Sequence, residues 1–465
     1  MTLTNGSSIV ENSETFIFDQ TVHPGWPVNV GYPTQNVQAG FVGLPPLLDH
    51  LTAADIDGDG KSELIIGFGS TVRILDHTGA PLPGWPQSID PTGAGYLTQR
   101  SPAVADLDGD GWAEIIAANS NGQVFVWRAN GTLMSNWPRQ LSYAAPALAA
   151  SAIDGSSAVR IILTTPYGLV NVLDMTGNSL PGWPKQLDTG TFGAPAIGDM
   201  NRDGMKEIIV SSESKLYALD FQGNILVNWP KPVPFTGSSW NLYPALGDSA
   251  GNGTLNAVVG LTDNIGQNNA VYVFQYDGQT VSVMPTPGPH PNPPGLADLN
   301  GDGKIDIVVG NQLIYEGGTV PTDCLNAWNG DGTVLGSAWP VRVTDTTYLS
   351  FVYNTSFGFG SPTLADIEGR GQIDIIASSD SRLFAVDAYR PDGSHVSGFP
   401  KPTVTIGAHE TNAVAVADLD GDGLLEMAWI DANLNLWVWD LPTPASSAQP
   451  WRMFRRDPSH SASTN

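Results

Sequence analysis

Asp106-Leu-Asp108-Gly-Asp110-Gly-Trp112-Ala-Glu114, running on into Ile-Ile-Ala-Ala118, is the stretch that decides how this chain folds. Oxygen-bearing side chains stand at positions 1, 3, 5 and 9 of a nine-residue loop, with glycine at position 6 to turn the backbone. A hard cation of calcium's size binds oxygen ligands in a flexible shell, and this spacing brings such ligands together. The loop returns four more times: Asp55-Ile-Asp57-Gly-Asp59-Gly-Lys61-Ser-Glu63, Asp199-Met-Asn201-Arg-Asp203-Gly-Met205-Lys-Glu207, Asp298-Leu-Asn300-Gly-Asp302-Gly-Lys304-Ile-Asp306 and Asp418-Leu-Asp420-Gly-Asp422-Gly-Leu424-Leu-Glu426. The expected ligands are the side chains at 1, 3, 5 and 9 and the backbone carbonyl at 7, from Lys61, Trp112, Met205, Lys304 and Leu424. About five Ca²⁺ per chain follow, and they bind together with loop folding, because bare carboxylates this close repel.

Around each loop the chain repeats. A small-Pro-apolar run precedes it, as in Ser101-Pro-Ala-Val-Ala-Asp106 and Ala194-Pro-Ala-Ile-Gly-Asp199. A β-branched run follows, then a period-two strand rich in aromatics, such as Val124-Phe-Val-Trp127 or Leu436-Trp-Val-Trp-Asp440. Each unit ends near Gly-Trp-Pro, at Trp85, Trp137, Trp183, Trp229, Trp339 and, with a change, Phe399. Four short strands about every fifty residues make an antiparallel blade that cannot bury both faces alone. Ring closure protects the edges, so the fold expected is an all-β propeller of four-stranded blades, eight favoured over seven. Phe16-Ile-Phe-Asp19 and Pro24-Gly-Trp-Pro27 look like the end of a repeat and supply a closing N-terminal strand for the last unit. The domain expected spans 15–460, after a flexible segment 1–14 and before a tail 461–465.

These motifs resemble the FG-GAP/VCBS repeat propellers, a family that includes integrin α-subunit heads and many secreted bacterial proteins. Phe192-Gly-Ala-Pro195 and Phe359-Gly-Ser-Pro362 come close to the family's name, and the acidic loops match its calcium sites. The C-terminal run from Val438 to His460 resembles the closing segment of secreted bacterial members. The resemblance covers about residues 15–460. It implies fold and metal, and leaves activity open, because the family includes adhesins, lectin-like proteins and lyases.

Three units depart from the pattern. The seventh keeps Asp366, Glu368 and Asp374 but has Arg370 at position 5, which reads as a metal-free, salt-bridged loop. The fifth has Asp248, Ala250, Asn252 and Asn256, too few charges for tight binding. Around Asp154 the third has lost the pattern. Because intact and broken loops alternate, the metal reads as structural.

The net charge of −26 speaks against nucleic acid and anionic lipid as partners. Eighteen of the 46 acidic residues sit in the intact loops, four in each of three and three in each of two. Cys324 is the single cysteine, so no intrachain disulfide forms. Loops of modest affinity fill where calcium is millimolar, which places the protein outside the cell or on its surface. The polar segment after Met1 has no apolar signal-peptide core, so the chain reads as the mature part of an exported protein. No stretch is apolar and long enough to insert in a membrane.

Two motifs mislead. Gly247-Asp-Ser249-Ala-Gly251 fits a nucleophile elbow but falls inside the fifth loop with no helix to follow. Gly58-Asp-Gly-Lys-Ser62 mimics a P-loop but lacks its first glycine. The regular tryptophans read as packing between blades, so departures from the repeat are better pointers to ligand contacts. An insertion at 311–328 and a long connection at 343–359 flank the sixth unit and should form a local wall, and Pro285–Pro294 reads as a polyproline linker. Trp240, Trp328, Tyr348 and Tyr353 are the candidate ligand contacts, with Trp112 as a further exposed ring. The reading is a calcium-binding adhesion or binding module for glycan or protein. A polysaccharide lyase or hydrolase, and a structural subunit of a surface assembly or filament, are the alternatives. These features carry no signal for oligomeric state.

Overall fold

The computed structural model describes residues 9–11, 14–16, 19, 21–31, 51–94, 101–141, 147–188, 193–212, 215–232, 243–261, 269–287, 292–314, 324–342, 356–358, 360–378, 384–402, 413–431, 434–453, 455–457 and 459–464. They form eight four-stranded antiparallel sheets that follow one another along the chain, an eight-bladed propeller. Blade 2 shows the plan, with strands Ala103–Ala105, Glu114–Ala118, Gln123–Trp127 and Arg139–Gln140 in simple up-and-down order. The second strand, Glu-Ile-Ile-Ala-Ala, is buried at every residue. A strand reads as a continuous apolar run when both its faces are covered, here by the blades on either side.

The first strands are Thr52–Ala54, Ala103–Ala105, Leu148–Ser151, Ala196–Gly198, Ala245–Gly247, Gly295–Ala297, Thr363–Ala365 and Ala415–Ala417, for blades 1 to 8. Successive first strands lie side by side around the axis, and the last, Ala415–Ala417, neighbours the first, Thr52–Ala54. Hydrophobic clusters straddle successive blades: Ile65, Ile74 and Trp85 of blade 1 with Ile115 and Trp127 of blade 2, and Ala53, Leu64 and Ile66 of blade 1 with Ala415, Ala428 and Val438 of blade 8.

The Gly-Trp-Pro tryptophans fasten one blade to the next. Trp85, Trp137, Trp183 and Trp229 are 5–7% exposed. Their indole N–H groups donate to carbonyls of the following blade: Trp85 to Ala129 at 2.7 Å, Trp137 to Met175 at 3.0 Å, Trp183 to Phe221 at 3.0 Å and Trp229 to Tyr276 at 2.8 Å. Burying so large a ring contributes most of the contact energy, and the bond satisfies the one polar atom that burial would strand.

Closure comes from the N-terminus. Val28–Asn29 pairs with Leu436 and Asn435 as the outer strand of blade 8, and His23 Nδ1 lies 2.6 Å from Asp440 Oδ1. Ile9–Glu11 and Glu14–Phe16 form a separate two-stranded hairpin, within and just beyond the segment expected to be flexible. Three departures from the plan stand out. The outer strand of blade 5, Thr280–Pro285, has six residues where those of most other blades have two, and it takes in the first proline of the expected linker. Gln312–Ile314 of the blade 6 insertion pairs with Ser356–Gly358 of the long connection, which builds the wall expected beside unit six. Ser461, Ala462 and Ser463, expected in a tail beyond the domain, are buried, Ser463 fully.

Candidate metal centres on one face of the ring

Each acidic loop joins the first two strands of its blade, so the loops share one face. Their local shape follows from hydrogen bonds within the nine residues. The carboxylate at position 1 accepts from the amides at positions 4 and 6: Asp106 from Gly109 at 2.7 Å and Gly111 at 3.0 Å, Asp55 from Gly58 at 2.7 Å and Gly60 at 3.1 Å. The position 5 carboxylate accepts from the amide at 7, as in Lys61 to Asp59 at 2.8 Å. The position 9 carboxylate reaches back to the amide at 2: Ile56 to Glu63 at 3.0 Å, Met200 to Glu207 at 2.8 Å, Leu299 to Asp306 at 2.9 Å. The chain must turn left-handed at position 6, where Gly60 has φ +87° and Gly111 +91°. That conformation is the reason for glycine there.

The result is a cluster of carboxylates around a buried position 9 acid. In the first, second and eighth blades, oxygens of Asp55, Asp57 and Glu63, of Asp106, Asp108 and Glu114, and of Asp418, Asp420 and Glu426 lie within 4.8 Å of one another. In the fourth and sixth blades Asn201 and Asn300 hold position 3, beside Asp199, Asp203 and Glu207 and beside Asp298, Asp302 and Asp306. The position 9 acids are almost fully buried, Glu114 at 1% and Asp306 at 0%. One oxygen of each, Glu114 Oε1 and Asp306 Oδ1, is buried without a hydrogen-bond partner, although Glu114 Oε1 has the Arg128 guanidinium 3.9 Å away. Burial first, then the crowding of like charges, pushes Glu63, Glu114 and Glu207 up to about 7, Asp306 to about 6 and Glu426 to about 8. A stranded buried oxygen amid carboxylates is costly, and a bound cation would remove that cost. These clusters can hold a metal ion.

In two of the departed loops an arginine stands against the carboxylates instead. In blade 7, Arg370 reaches Glu368 at 2.6 Å and Asp374 at 2.8 Å, and Arg390 takes both oxygens of Glu368. Arg390, with Arg370 behind it, holds Glu368 below the usual carboxylate range. In blade 3 the register of Ser151 opposite Arg160 makes Arg160 the position 9 residue, and it pairs with Asp154 at 3.0 Å. In blade 5 a side chain at Gly253 would collide with Arg202 of the fourth loop, and Asn256 Nδ2 donates to Ser249 Oγ at 2.6 Å. Ser249, of the false elbow, is thus a buried loop residue.

An unforeseen residue reaches the second loop. Arg128, just after the third strand of blade 2, contacts Asp108 at 2.9 Å and Asp110 at 3.1 Å. Blade 7 carries its counterpart in Arg390, since both follow the third strand. Alignment on the strands would have revealed Arg160, whereas Arg128 meets its loop only through the hairpins of the folded blade.

The loops also touch each other. Amides at position 8 donate to the preceding loop: Ser62 to Asp418 at 3.1 Å, Lys206 to Ile153 at 3.0 Å and Ile305 to Asp248 at 3.0 Å. The ring of Trp112 covers Gly58 of the first loop and is still 52% exposed. Met205 and Leu424, at the same loop position, are exposed as well.

Of the other aromatic candidates, Trp328 is corrected: it is 5% exposed within the core shared by blades 4 to 7 and offers no face to a ligand. It sits on the third strand where blade 2 has Trp127, so it belongs to the packing repeat. Trp240, Tyr348 and Tyr353 lie outside the described residues.

A family model described as an FG-GAP-like repeat matches residues 55–117, the first two loops and the strands between them. Those residues are similar to an FG-GAP-like repeat. No curated protein matches it significantly in sequence. Among solved structures, this propeller is similar to the V. cholerae biofilm matrix protein Bap1, with 12% identity, a TM-score of 0.57 and coverage of 92% of this chain and 93% of that one. It is also similar to BamB from Moraxella catarrhalis, with 15% identity, a TM-score of 0.52, and 85% and 100% coverage. Saccharomyces cerevisiae Sqt1 resembles it at 12% identity and a TM-score of 0.53, with the same coverage of 85% and 100%. At such identities the likeness shows the fold. Among the described residues no helix is long and apolar enough to cross a membrane.

Proposed function

We propose that this protein is an exported binding module, working outside the cell or at its surface, whose ring is clasped by about five calcium ions and whose loop face engages glycan or protein. The observation that carries the reading is the composition of that face. Glu114 and Asp306 each bury an oxygen without a hydrogen-bond partner, and three of the acidic loops carry an exposed apolar side chain at position 7, Trp112, Met205 and Leu424. Five hard-oxygen donors in a flexible nine-residue loop suit calcium, whereas magnesium is smaller and keeps more of its water. Calcium so placed neutralises the face and fixes its shape, which leaves an apolar platform where a sugar ring or a partner side chain can stack.

Glycan and protein arrays probed with and without EDTA test this. Binding that is lost in EDTA and weakened by Trp112→Ala is the expected result. Cleavage of uronate polysaccharides to unsaturated ends, or assembly into ordered polymers without ligand binding, would replace it with the lyase or the structural reading.

A further inference from the structure

We propose that the axial channel of the ring is a peptide-binding site, and that residues 448–453, 455–457 and 459–464 are its ligand, held in cis. The eighth blade is already closed by Val28–Asn29, so this segment completes no sheet. It leaves blade 8 through a tight turn, with the Ser447 amide on the Pro444 carbonyl at 2.9 Å, and then runs along the first strands.

The contacts are those of backbone recognition. The middle residues of five first strands donate their amides to it: Leu364 to the Trp451 carbonyl at 2.8 Å, Val416 to Arg452 at 2.9 Å, Ala150 to Ser459 at 2.8 Å, Ile197 to Ser461 at 2.9 Å and Leu246 to Ala462 at 2.8 Å. The amides of Trp451 and Thr464 donate back, to Leu364 at 3.1 Å and Leu246 at 3.0 Å. An inner strand has a free edge toward the axis, and pairing such an edge with an extended chain is a general mode of peptide binding.

Side chains add specificity. Trp451, Met453, Arg455, His460 and Ala462 are all at most 3% exposed. Arg455 donates to the carbonyls of Ala194 and Pro195, and its guanidinium lies 5.8 Å from the centre of the Tyr243 ring. The channel wall is cut to fit, because a Cβ at Gly198 would stand 2.6 Å from Ser463 Oγ. The segment in turn adopts a shape a free chain avoids, with positive φ at Arg455, Arg456, His460 and Ala462. The ring therefore selects a conformation as well as a sequence.

The test is to build a protease site into the turn at 445–447 of the full chain and cleave the folded protein. The expected result is that the segment stays with the ring and that a fluorescent peptide of sequence 448–465 exchanges into it. A peptide carrying Arg455→Ala should bind at least tenfold more weakly. Should the turn resist cleavage or exchange be too slow to follow, co-expression of residues 1–447 with the tagged peptide gives the same reading by co-purification. Immediate loss of the cleaved segment with an unchanged melting temperature, equal binding of the two peptides, or failure to co-purify would overturn the proposal.

Discussion

Arg370 Nη2 lies 2.8 Å from Asp374 Oδ1, so in blade 7 a guanidinium pairs with the buried position 9 acid of the loop. Clustered carboxylates repel, and in blade 7 an internal arginine offsets that repulsion, where in the intact loops we propose an ion.

Replacing that arginine should therefore let an ion take its place. Arg370→Asp restores a carboxylate at position 5 beside Asp366, Glu368 and Asp374. The variant is expected to bind one more calcium per chain than the wild type, weakly because Arg390 still holds Glu368. Calorimetric titration gives the stoichiometry, and an unchanged count would show that position 5 is not a ligand position.

Arg128 pairs with Asp108 and Asp110, so it would compete with the proposed cation for both. Arg128→Gln should tighten calcium binding at the second loop by roughly fivefold to fiftyfold, the worth of an exposed ion pair or two together with a lost like charge. Trp112 sits on that loop and over Gly58 of the first, so sensitised Tb³⁺ luminescence reports on both. The wild type should fill in two phases and the variant in one. Identical curves would mean that Arg128 swings clear without cost.

The fold was legible because it is written eight times. Loop, buried strand, aromatic strand and Gly-Trp-Pro recur with the blade, and the N-terminal fragment of a repeat announced how the ring closes. The residues that were misread are those whose partners come from elsewhere in the chain. Trp328 looked irregular because an insertion precedes it, yet it packs as Trp127 does. Arg128 meets its acids across a hairpin, and the axial segment is bound through backbone amides that leave no trace in composition. Arg160 was within reach, since placing Ala152 at position 1 of the third loop puts it at position 9.

Histidine 460 gives the axial segment a dependence on acid. Burial, then the neighbouring Arg455, pushes its pKa down to about 4, against the opposing pull of Asp457. Its Nε2 lies 3.3 Å from Thr52 Oγ1. A base whose pKa is lowered on folding stabilises the fold fully above the unfolded value of about 6.5. That contribution is lost as pH falls from there toward 4. Melting temperatures between pH 7 and 4 should drop less steeply in His460→Gln than in the wild type; parallel curves would rule the histidine out.

Trp183 is representative of the tryptophans that join blades. Trp183→Ala removes a buried ring and strands the Phe221 carbonyl, and should destabilise the protein by about 3–5 kcal/mol. Urea unfolding measures it, and a loss under about 1 kcal/mol would mean that the ring is not what couples blades 3 and 4.

The count of calcium ions bound per chain, taken by equilibrium dialysis and elemental analysis, tests the central claim most directly. The wild type should hold five, Asp108→Ala four, and Asp366→Ala still five, since only the intact carboxylate loops are ion clasps. A wild type that binds none, or equal losses in the two variants, would contradict it.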